Sequence, residues 1–135
     1  MTYAVDSNLL IDVLHAPSVY TETSAVALEA ARAAGLLVVS EVVYAEVSAF
    51  YLDPAAFPSA LERLSVRFAA SAPETLVRAG RLFRDYRQAG GARRQMLPDF
   101  MVDAHALEHA DALLTRDRGF YREYFSDLKV IDPTE

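Results

Sequence analysis

The chain has 135 residues, with 13 lysines and arginines against 19 aspartates and glutamates, a net charge of −6 and no cysteine. This length suits one domain spanning residues 1–135, whose core needs no disulfide or structural metal. The lack of cysteine excludes a disulfide scaffold, a thiolate zinc site and a cysteine nucleophile, and it favours a reducing, cytoplasmic location. Because the segment after Met1 has no basic start and meets an acid at Asp6, we expect no secretory signal, and the apolar stretch Ala33–Ser40 is too short to cross a membrane.

Short apolar runs alternate with longer stretches of helical periodicity along the chain. In chain order, the predicted elements are strand Thr2–Val5, helix Ser7–Leu14, helix Glu22–Ala34, strand Leu36–Val39, helix Glu41–Leu52, helix Phe57–Arg63, strand Val66–Phe68, helix Pro73–Gln88, helix Pro98–Ala110, strand Ala112–Thr115, helix Arg118–Tyr124 and strand Leu128–Ile131. This alternation predicts an α/β fold with a parallel sheet covered by helices on both faces. Ligands bind such open sheets at the carboxyl edge, where strands end and helices begin.

Three aspartates are predicted to lie at that edge. Asp6 closes the first strand, Asp99 follows the helix-opening Pro98, and Asp117 follows the strand Ala112–Thr115. They should therefore approach one another in space, although they are far apart in sequence.

Glu46 occupies an unusual position on the predicted helix Glu41–Leu52. Val43, Val47 and Phe50 form one apolar stripe, and Glu46 lies about 60° from Val43 at the margin of that stripe. A carboxylate there faces inward or along the sheet edge, where an unpaired charge costs several kcal/mol. Taken alone, Glu46 is as compatible with a structural role, in which it pairs with an arginine or reaches solvent, as with a functional one.

Carboxylates that converge on one edge repel one another by up to about 4 kcal/mol per close pair at an effective dielectric constant of about 20. Such a cluster persists only with shared protons or a bound cation. With no cysteine and no histidine predicted nearby, the oxygen ligands suit Mg²⁺ or Mn²⁺ rather than zinc. A hard divalent ion that keeps several waters indicates phosphate chemistry.

Four sequence blocks resemble those of PIN-domain ribonucleases, in particular the VapC-type toxins of bacterial toxin–antitoxin pairs. The blocks are Ala4–Asp12, Val43–Val47 around Glu46, Leu97–Phe100 followed by Ala104–Ala106, and Leu113–Asp117 followed by Phe120 and Leu128–Ile131. Each block is weak alone, but their order and spacing cover nearly the whole chain. The resemblance implies a three-layer α/β/α sandwich with a central, mainly parallel sheet of four to five strands.

The resemblance also implies an endoribonuclease that depends on Mg²⁺ or Mn²⁺ and hydrolyses RNA phosphodiester bonds with a metal-activated water. Asp6, Glu46, Asp99 and Asp117 match the acidic positions of the family. On this reading Asp6 and Asp99 bind the metal, Asp117 binds it directly or through water, and Glu46 orients or deprotonates the attacking water. The implied partners are an RNA substrate, a cognate antitoxin protein, and a second copy of the chain in a homodimer or larger toxin–antitoxin assembly.

Several neighbouring polar residues are expected to support these acids. Thr115 matches a hydroxyl position beside the site, and Ser7 and Asn8 could steady Asp6, although we expect them chiefly to cap the following helix. Asp103 replaces a small residue of the family pattern, one helical turn after Asp99. It could add a fifth carboxylate or pair with an arginine, and we expect it to act behind the metal ligands or structurally rather than to bind the metal directly.

Other polar residues are expected to have structural roles. His105 and His109 have the i, i+4 spacing of a zinc helix but lack its glutamate, so we expect them to be half-buried or at the surface. Asp12 is expected to form a surface ion pair. Arginine dominates the basic residues, 12 to one lysine, which suits bidentate contacts with phosphate. The arginines that flank the acidic blocks are the candidates for holding an RNA backbone: Arg93, Arg94, Arg116 and Arg118.

Two other functions compete with a nuclease. A phosphoacceptor receiver domain is also a small acidic α/β protein, but it needs an acidic pair after the first strand and an aspartate after the third, whereas Ser7 and Asn8 follow Asp6 and none follows Phe68. A PIN-fold module that binds RNA or protein without catalysis is the second alternative. The four intact acids speak against it.

Overall fold

Five strands alternate with helices in the computed structural model, which describes residues 1–15, 17–91, 95–117 and 121–135, apart from the side chains of residues 121 and 122. In chain order the elements are β1 (Thr2–Val5), α1 (Ser7–Leu14), α2 (Thr21–Ala34), β2 (Leu36–Val39), α3 (Glu41–Ser48), α4 (Ala56–Arg63), β3 (Val66–Phe68), α5 (Pro73–Gln88), α6 (Leu97–His109), β4 (Ala112–Leu114), α7 (Tyr121–Tyr124) and β5 (Val130–Ile131). Among the described residues, no helix is both long and apolar enough to span a bilayer.

All five strands pair in parallel, in the order β3-β2-β1-β4-β5. Strand β1 lies at the centre, where Tyr3 pairs with Leu37 on one side and Ala112 on the other. The chain builds outward from β1 to β3, then crosses back and builds outward again from β4 to β5. The strand order therefore reverses between β1 and β4, which is where α/β sheets bind ligands. The predicted sandwich with a mainly parallel sheet is confirmed.

Apolar side chains from the sheet and from the helices on its two faces form one core. In α1, Leu9 and Leu10 are fully buried and belong to this core. In α6, Phe100 is fully buried and its ring contacts Phe83 of α5 and Phe125, with centroids 5.5 and 5.8 Å away. These contacts of Phe100, in the first turns of α6, help to place the start of the helix at the carboxyl edge.

The end of α3 differs from the prediction. The helix stops at Ser48 rather than Leu52, because the Phe50 and Tyr51 backbone N–H groups donate to the carbonyls three residues back, at 3.1 and 3.0 Å, instead of four. Phe50 then leaves the apolar stripe of the helix and is 55% exposed, although its ring still contacts His15. The last two strands are also shorter than predicted. Of the predicted helix 118–124, residues 118–120 lie outside the described residues.

Candidate functional site

Five carboxylates line one pocket of about 120 Å³ at the carboxyl edge of the sheet, beside the reversal point between β1 and β4. Four elements contribute them: β1 and β4 through the residues after their ends, α3, and the first two turns of α6. We call this the acidic pocket, and its carboxylates are Asp6, Glu46, Asp99, Asp103 and Asp117. The fold therefore brings together every acid that the sequence analysis selected for the site.

Asp6 is the N-cap of α1, and both of its carboxylate oxygens accept hydrogen bonds. Oδ1 accepts from the Ser7 backbone N–H at 2.7 Å and from the Ser7 hydroxyl at 3.4 Å. Oδ2 accepts from Asn8 Nδ2 at 3.5 Å. The expectation that Ser7 and Asn8 chiefly cap the helix is wrong, because the helix begins at Ser7 and Asp6 itself supplies the cap. Their side chains instead steady the Asp6 carboxylate.

The Thr115 hydroxyl connects the ends of β1 and β4. It is fully buried, donates to Asp6 Oδ2 at 2.8 Å, and accepts from Asn8 Nδ2 at 3.1 Å and from the Asp117 backbone N–H at 3.0 Å. One donor and two acceptor positions are all that a hydroxyl has. Thr115 therefore orients the Asp6 carboxylate and the backbone of Asp117. Its side chain lies beside these two residues of the pocket, as predicted.

Asp99 is the third residue of α6. Pro98, just before it, suits the first turn of a helix, because the N–H group that proline lacks has no hydrogen-bond partner there. Asp99 Oδ2 accepts from the Met96 backbone N–H at 2.8 Å, which ties the carboxylate to the chain entering the helix. Glu46 is exposed, so its carboxylate lies at the open rim of the pocket rather than facing the core. Val43 and Val47, which flank it on α3, are buried as predicted.

Asp103 is the least exposed of the five acids. It is only 2% exposed, and within the described part of the chain no hydrogen-bond partner reaches its Oδ2. Leaving a buried polar atom without a partner costs about 1–3 kcal/mol, and more for a charged group. The pairing with an arginine that the sequence allowed is therefore not formed by any described residue.

Electrostatics in the acidic pocket favour protonation when no cation is present. Burial raises the pKa of Asp6 from 3.8 to about 6, and the charges of Glu46 and Asp117 add to the rise. Burial also raises the pKa of Asp99, with the charge of Asp117 as a further cause. The pKa of Asp103 lies well above its usual range, first through burial and then through the charges of Asp6, Asp117 and Asp99. A cation that entered the pocket would reverse these effects.

The donor set of the acidic pocket suits a hard cation. All five charged groups are carboxylates, and the polar neighbours Ser7 and Asn8 add only oxygen and amide groups. Among the described residues, no three histidine, aspartate or glutamate side chains already stand as a ligand set around one point. Binding an ion would thus require carboxylates to turn toward a common centre, and the unsatisfied Asp103 oxygen shows that the pocket has unused ligand capacity.

Arg116 is held within the protein. Its Nε and NH2 groups donate to the two Asp12 carboxylate oxygens at 2.9 and 3.0 Å, and its guanidinium lies 4.0 Å from the centroid of the Tyr20 ring. This engagement argues against the expected contact of Arg116 with an RNA backbone. The other three arginines of that prediction, Arg93, Arg94 and Arg118, lie outside the described residues.

Two structural expectations from the sequence are wrong. Asp12 is 5% exposed rather than at the surface, because it also accepts from the buried Ser24 hydroxyl at 2.7 Å. His105 is 1% exposed rather than half-buried, and its Nε2 is bonded to the Ala69 carbonyl at 2.7 Å. No local pattern revealed either environment, since each partner comes from a distant element of the fold.

Comparison with protein families gives one match, to the PIN domain, over residues 3–125. Comparison of the sequence with curated proteins gives no match. Solved structures share the fold over nearly all of this chain. A chain of VapBC2 from Rickettsia felis, bound to a DNA fragment from its promoter, is 18% identical with a TM-score of 0.73, and the match covers 98% of both chains.

Two further solved structures resemble this chain to a similar degree. A chain of a toxin–antitoxin complex from Klebsiella pneumoniae is 22% identical, with 97% of both chains covered and a TM-score of 0.71. A chain of VapBC-1 from nontypeable Haemophilus influenzae is 20% identical, with all of both chains covered and a TM-score of 0.70. At these identities the likeness establishes only the fold, and this agrees with the strand order and helical layers described above.

Proposed function

This chain belongs to the PIN-domain family, and from that premise we propose that it is a single PIN domain acting as a metal-dependent endoribonuclease, a VapC-type toxin. The observation that carries this proposal is the acidic pocket at the β1–β4 reversal, where Asp6, Glu46, Asp99 and Asp117 line one concave site. Such a concentration of negative charge does not stabilise a structural core, whereas it suits a nuclease that binds a divalent ion.

Asp6, Asp99 and Asp117 would hold Mg²⁺ or Mn²⁺. The raised pKa of Asp6 and of Asp99 supports this assignment, because a nearby cation favours the ionised form of such groups. Such an ion, when bound, neutralises charge on the phosphate and makes water a stronger nucleophile. Thr115 fixes the orientation of Asp6 through its 2.8 Å hydrogen bond, so this one carboxylate would be oriented before an ion arrives, and the others would turn toward it.

Glu46 would act as the general base. It lies at the open rim of the pocket, where water reaches it without crossing the buried carboxylates. It orients a water for in-line attack on phosphorus and accepts its proton. A new bond forms between that oxygen and phosphorus, and the bond to the 3′ oxygen breaks. The 3′ oxygen takes up a proton, which leaves a 3′-hydroxyl on one product and a 5′-phosphate on the other.

The proposed partners are an RNA substrate and a cognate antitoxin protein. The resemblance to chains from toxin–antitoxin complexes supports the antitoxin, and a homodimer or larger toxin–antitoxin assembly is proposed on the same basis. Arg93, Arg94 and Arg118 remain the candidates for contacts with the RNA backbone. Arg116 is removed from that group, because its guanidinium is bonded to Asp12.

The proposal is tested by RNA cleavage with the purified chain in Mg²⁺ or Mn²⁺, with EDTA, and with the variant Asp99→Asn. We expect cleavage that needs the ion and that falls by at least about a hundredfold in Asp99→Asn, because a ligand and its charge are lost. Asp127→Asn is the matched control, since Asp127 is exposed and precedes β5 at the opposite edge of the sheet. Cleavage that persists in EDTA, or full activity in Asp99→Asn, contradicts the mechanism. Metal binding without cleavage of any RNA would instead favour the non-catalytic binding module.

A further inference from the structure

We propose that Asp103 is itself a ligand of the divalent cation, binding it from the inner wall of the acidic pocket. This inference rests on the proposed function and deepens it. The family pattern has a small residue at this position, so a ligand here would be additional to the four acids that match the family. The inference departs from the sequence-based expectation that Asp103 acts only behind the ligands or structurally. Three properties of Asp103 carry it: its depth, its unsatisfied oxygen and its place one turn from Asp99.

The burial of Asp103 makes its unsatisfied oxygen significant, because solvent does not supply the missing hydrogen bond. Only 2% of Asp103 is exposed to solvent, yet it is one of the residues that line the acidic pocket. Its Oδ2 has no hydrogen-bond partner among the described residues. A buried carboxylate with an unused oxygen needs a group that comes from outside the protein.

The alternatives to a cation account less well for this arrangement. No described arginine, lysine or histidine forms an ion pair with Asp103, whereas Asp12, the other buried aspartate, has Arg116 as its partner. A water molecule could satisfy one oxygen, but it would leave the repulsion among the carboxylates unchanged. A cation satisfies the oxygen and removes that repulsion at the same time.

The position on α6 gives Asp103 access to the same ion as Asp99. The two residues are four apart, which places them about 40° apart around the helix and about 6 Å along its axis. Side chains at this spacing meet on one helix face. Asp99 is held near the helix start by the Met96 N–H, so an ion between the two carboxylates would be held against α6.

The first test is a calorimetric titration with Mn²⁺ of the wild-type chain, Asp103→Asn and Asp127→Asn. Asparagine keeps the shape of the side chain and removes its charge, and thermal unfolding checks that each variant is folded. We expect Asp103→Asn to weaken Mn²⁺ binding by at least about tenfold. The exposed Asp127→Asn should match the wild type. Equal affinity in Asp103→Asn and the wild type overturns the inference.

The second test distinguishes direct ligation from an indirect effect, and it uses the absence of cysteine from the chain. In Asp103→Cys, the introduced thiol is the only one in the protein. Titration with Cd²⁺ should produce the ultraviolet charge-transfer band of a cadmium–thiolate bond, at one ion per chain. Asp127→Cys, with its thiol far from other ligands, should develop the band only at much higher Cd²⁺ concentration. Cadmium that displaces Mn²⁺ from Asp103→Cys without producing the band overturns the inference.

Failure of this inference differs from failure of the proposed function. If the wild type binds no Mn²⁺, or if Asp99→Asn binds it as well as the wild type, the proposed metal site is wrong. If the wild type binds Mn²⁺ and Asp99→Asn weakens it while Asp103→Asn does not, the nuclease proposal stands and Asp103 is not a ligand.

Discussion

The guanidinium of Arg116 and the carboxylate of Asp12 form two hydrogen bonds, of 2.9 and 3.0 Å, between residues 104 positions apart. This pair joins α1 to the segment that follows β4. The Arg116 backbone N–H also donates to Asn8 Oδ1 at 3.2 Å, so both the main chain and the side chain of Arg116 are bound to α1. Asp117 follows directly, and its carboxylate is therefore positioned in the acidic pocket by contacts made one residue earlier.

Arg116→Ala should destabilise the protein. It leaves the Asp12 carboxylate buried without its cation, a change that typically lowers the free energy of unfolding by about 3–5 kcal/mol. Urea denaturation measures the loss. Arg32→Ala is the matched control, because Arg32 pairs with Glu29 at the surface and its removal should change stability little. Equal effects of the two substitutions would contradict a structural role for the Asp12–Arg116 pair.

Thr115→Val should raise the pKa of Asp6 above its value of about 6. The hydroxyl donates to the charged form of Asp6 at 2.8 Å and so favours ionisation, whereas valine has the same shape and no donor. The carboxyl carbon signal of Asp6, followed by NMR over a pH titration, measures the shift. Thr115→Ser keeps the hydroxyl and should restore the lower pKa. A pKa that is unchanged or lower in Thr115→Val would show that the hydrogen bond does not stabilise the carboxylate.

The metal-free protein should lose stability as the pH rises. Asp6 has a pKa of about 6 in the folded state against an ordinary 3.8, so the folded state binds more protons between these values. The free energy of unfolding therefore falls as the pH rises through that window, by about 3 kcal/mol from Asp6. Denaturation in EDTA at about pH 5 and about pH 7.5 covers the upper part of that window and should therefore show about half of the full change.

The variant Asp6→Asn and added Mn²⁺ distinguish the titration of Asp6 from other causes of a pH-dependent stability. Asparagine does not titrate, so Asp6→Asn should show a smaller loss of stability between the two pH values. Excess Mn²⁺ should raise the stability of the wild type most at the higher pH, where the ion competes with fewer protons. A wild-type protein that gains stability as the pH rises over this range would contradict the protonated state of the pocket.

Much of the fold was predictable because its signals are local. The strand Thr2–Val5, the helix Ser7–Leu14 and the helix Pro73–Gln88 have the predicted bounds, since apolar runs, an N-terminal proline and glycines mark them in the sequence. The end of α3 was not predictable, because the chain tightens into i−3 hydrogen bonds at Phe50 and Tyr51. No glycine or proline marks that point, and the first proline after it is Pro54.

The acids of the candidate site were also predictable in position, because parallel strands deliver their following residues to one edge. The environments of Asp12 and Asp103 were not. Both are buried aspartates on helices, yet Asp12 is paired with Arg116 and the described residues leave Asp103 Oδ2 without a partner. Which buried charge has a partner depends on contacts between elements distant in sequence, and periodicity carries no information about them.

Two glycine substitutions should change stability in opposite directions. Gly35 lies between α2 and β2, and a Cβ atom there would be 1.9 Å from the Met1 carbonyl oxygen, which accepts the Leu36 N–H at 2.9 Å. Gly35→Ala must displace this edge of β1, and we expect a loss of about 1–3 kcal/mol. Gly80 lies inside α5, and a Cβ atom there would meet no other atom within 4 Å.

Gly80→Ala should therefore stabilise the protein by about 0.5–1 kcal/mol, because alanine restricts the unfolded chain and favours the helix. The same denaturation experiment measures both variants, and each serves as the control for the other. The backbone of Gly35 is extended, with φ of 178°, so any residue could adopt it and the close approach to Met1 is the only obstacle. Deleting Met1 removes the clash and also the acceptor of the Leu36 N–H, so the reference is the Met1 deletion alone: against it, Gly35→Ala should cost little, whereas a persistent loss would point to a cause other than this contact.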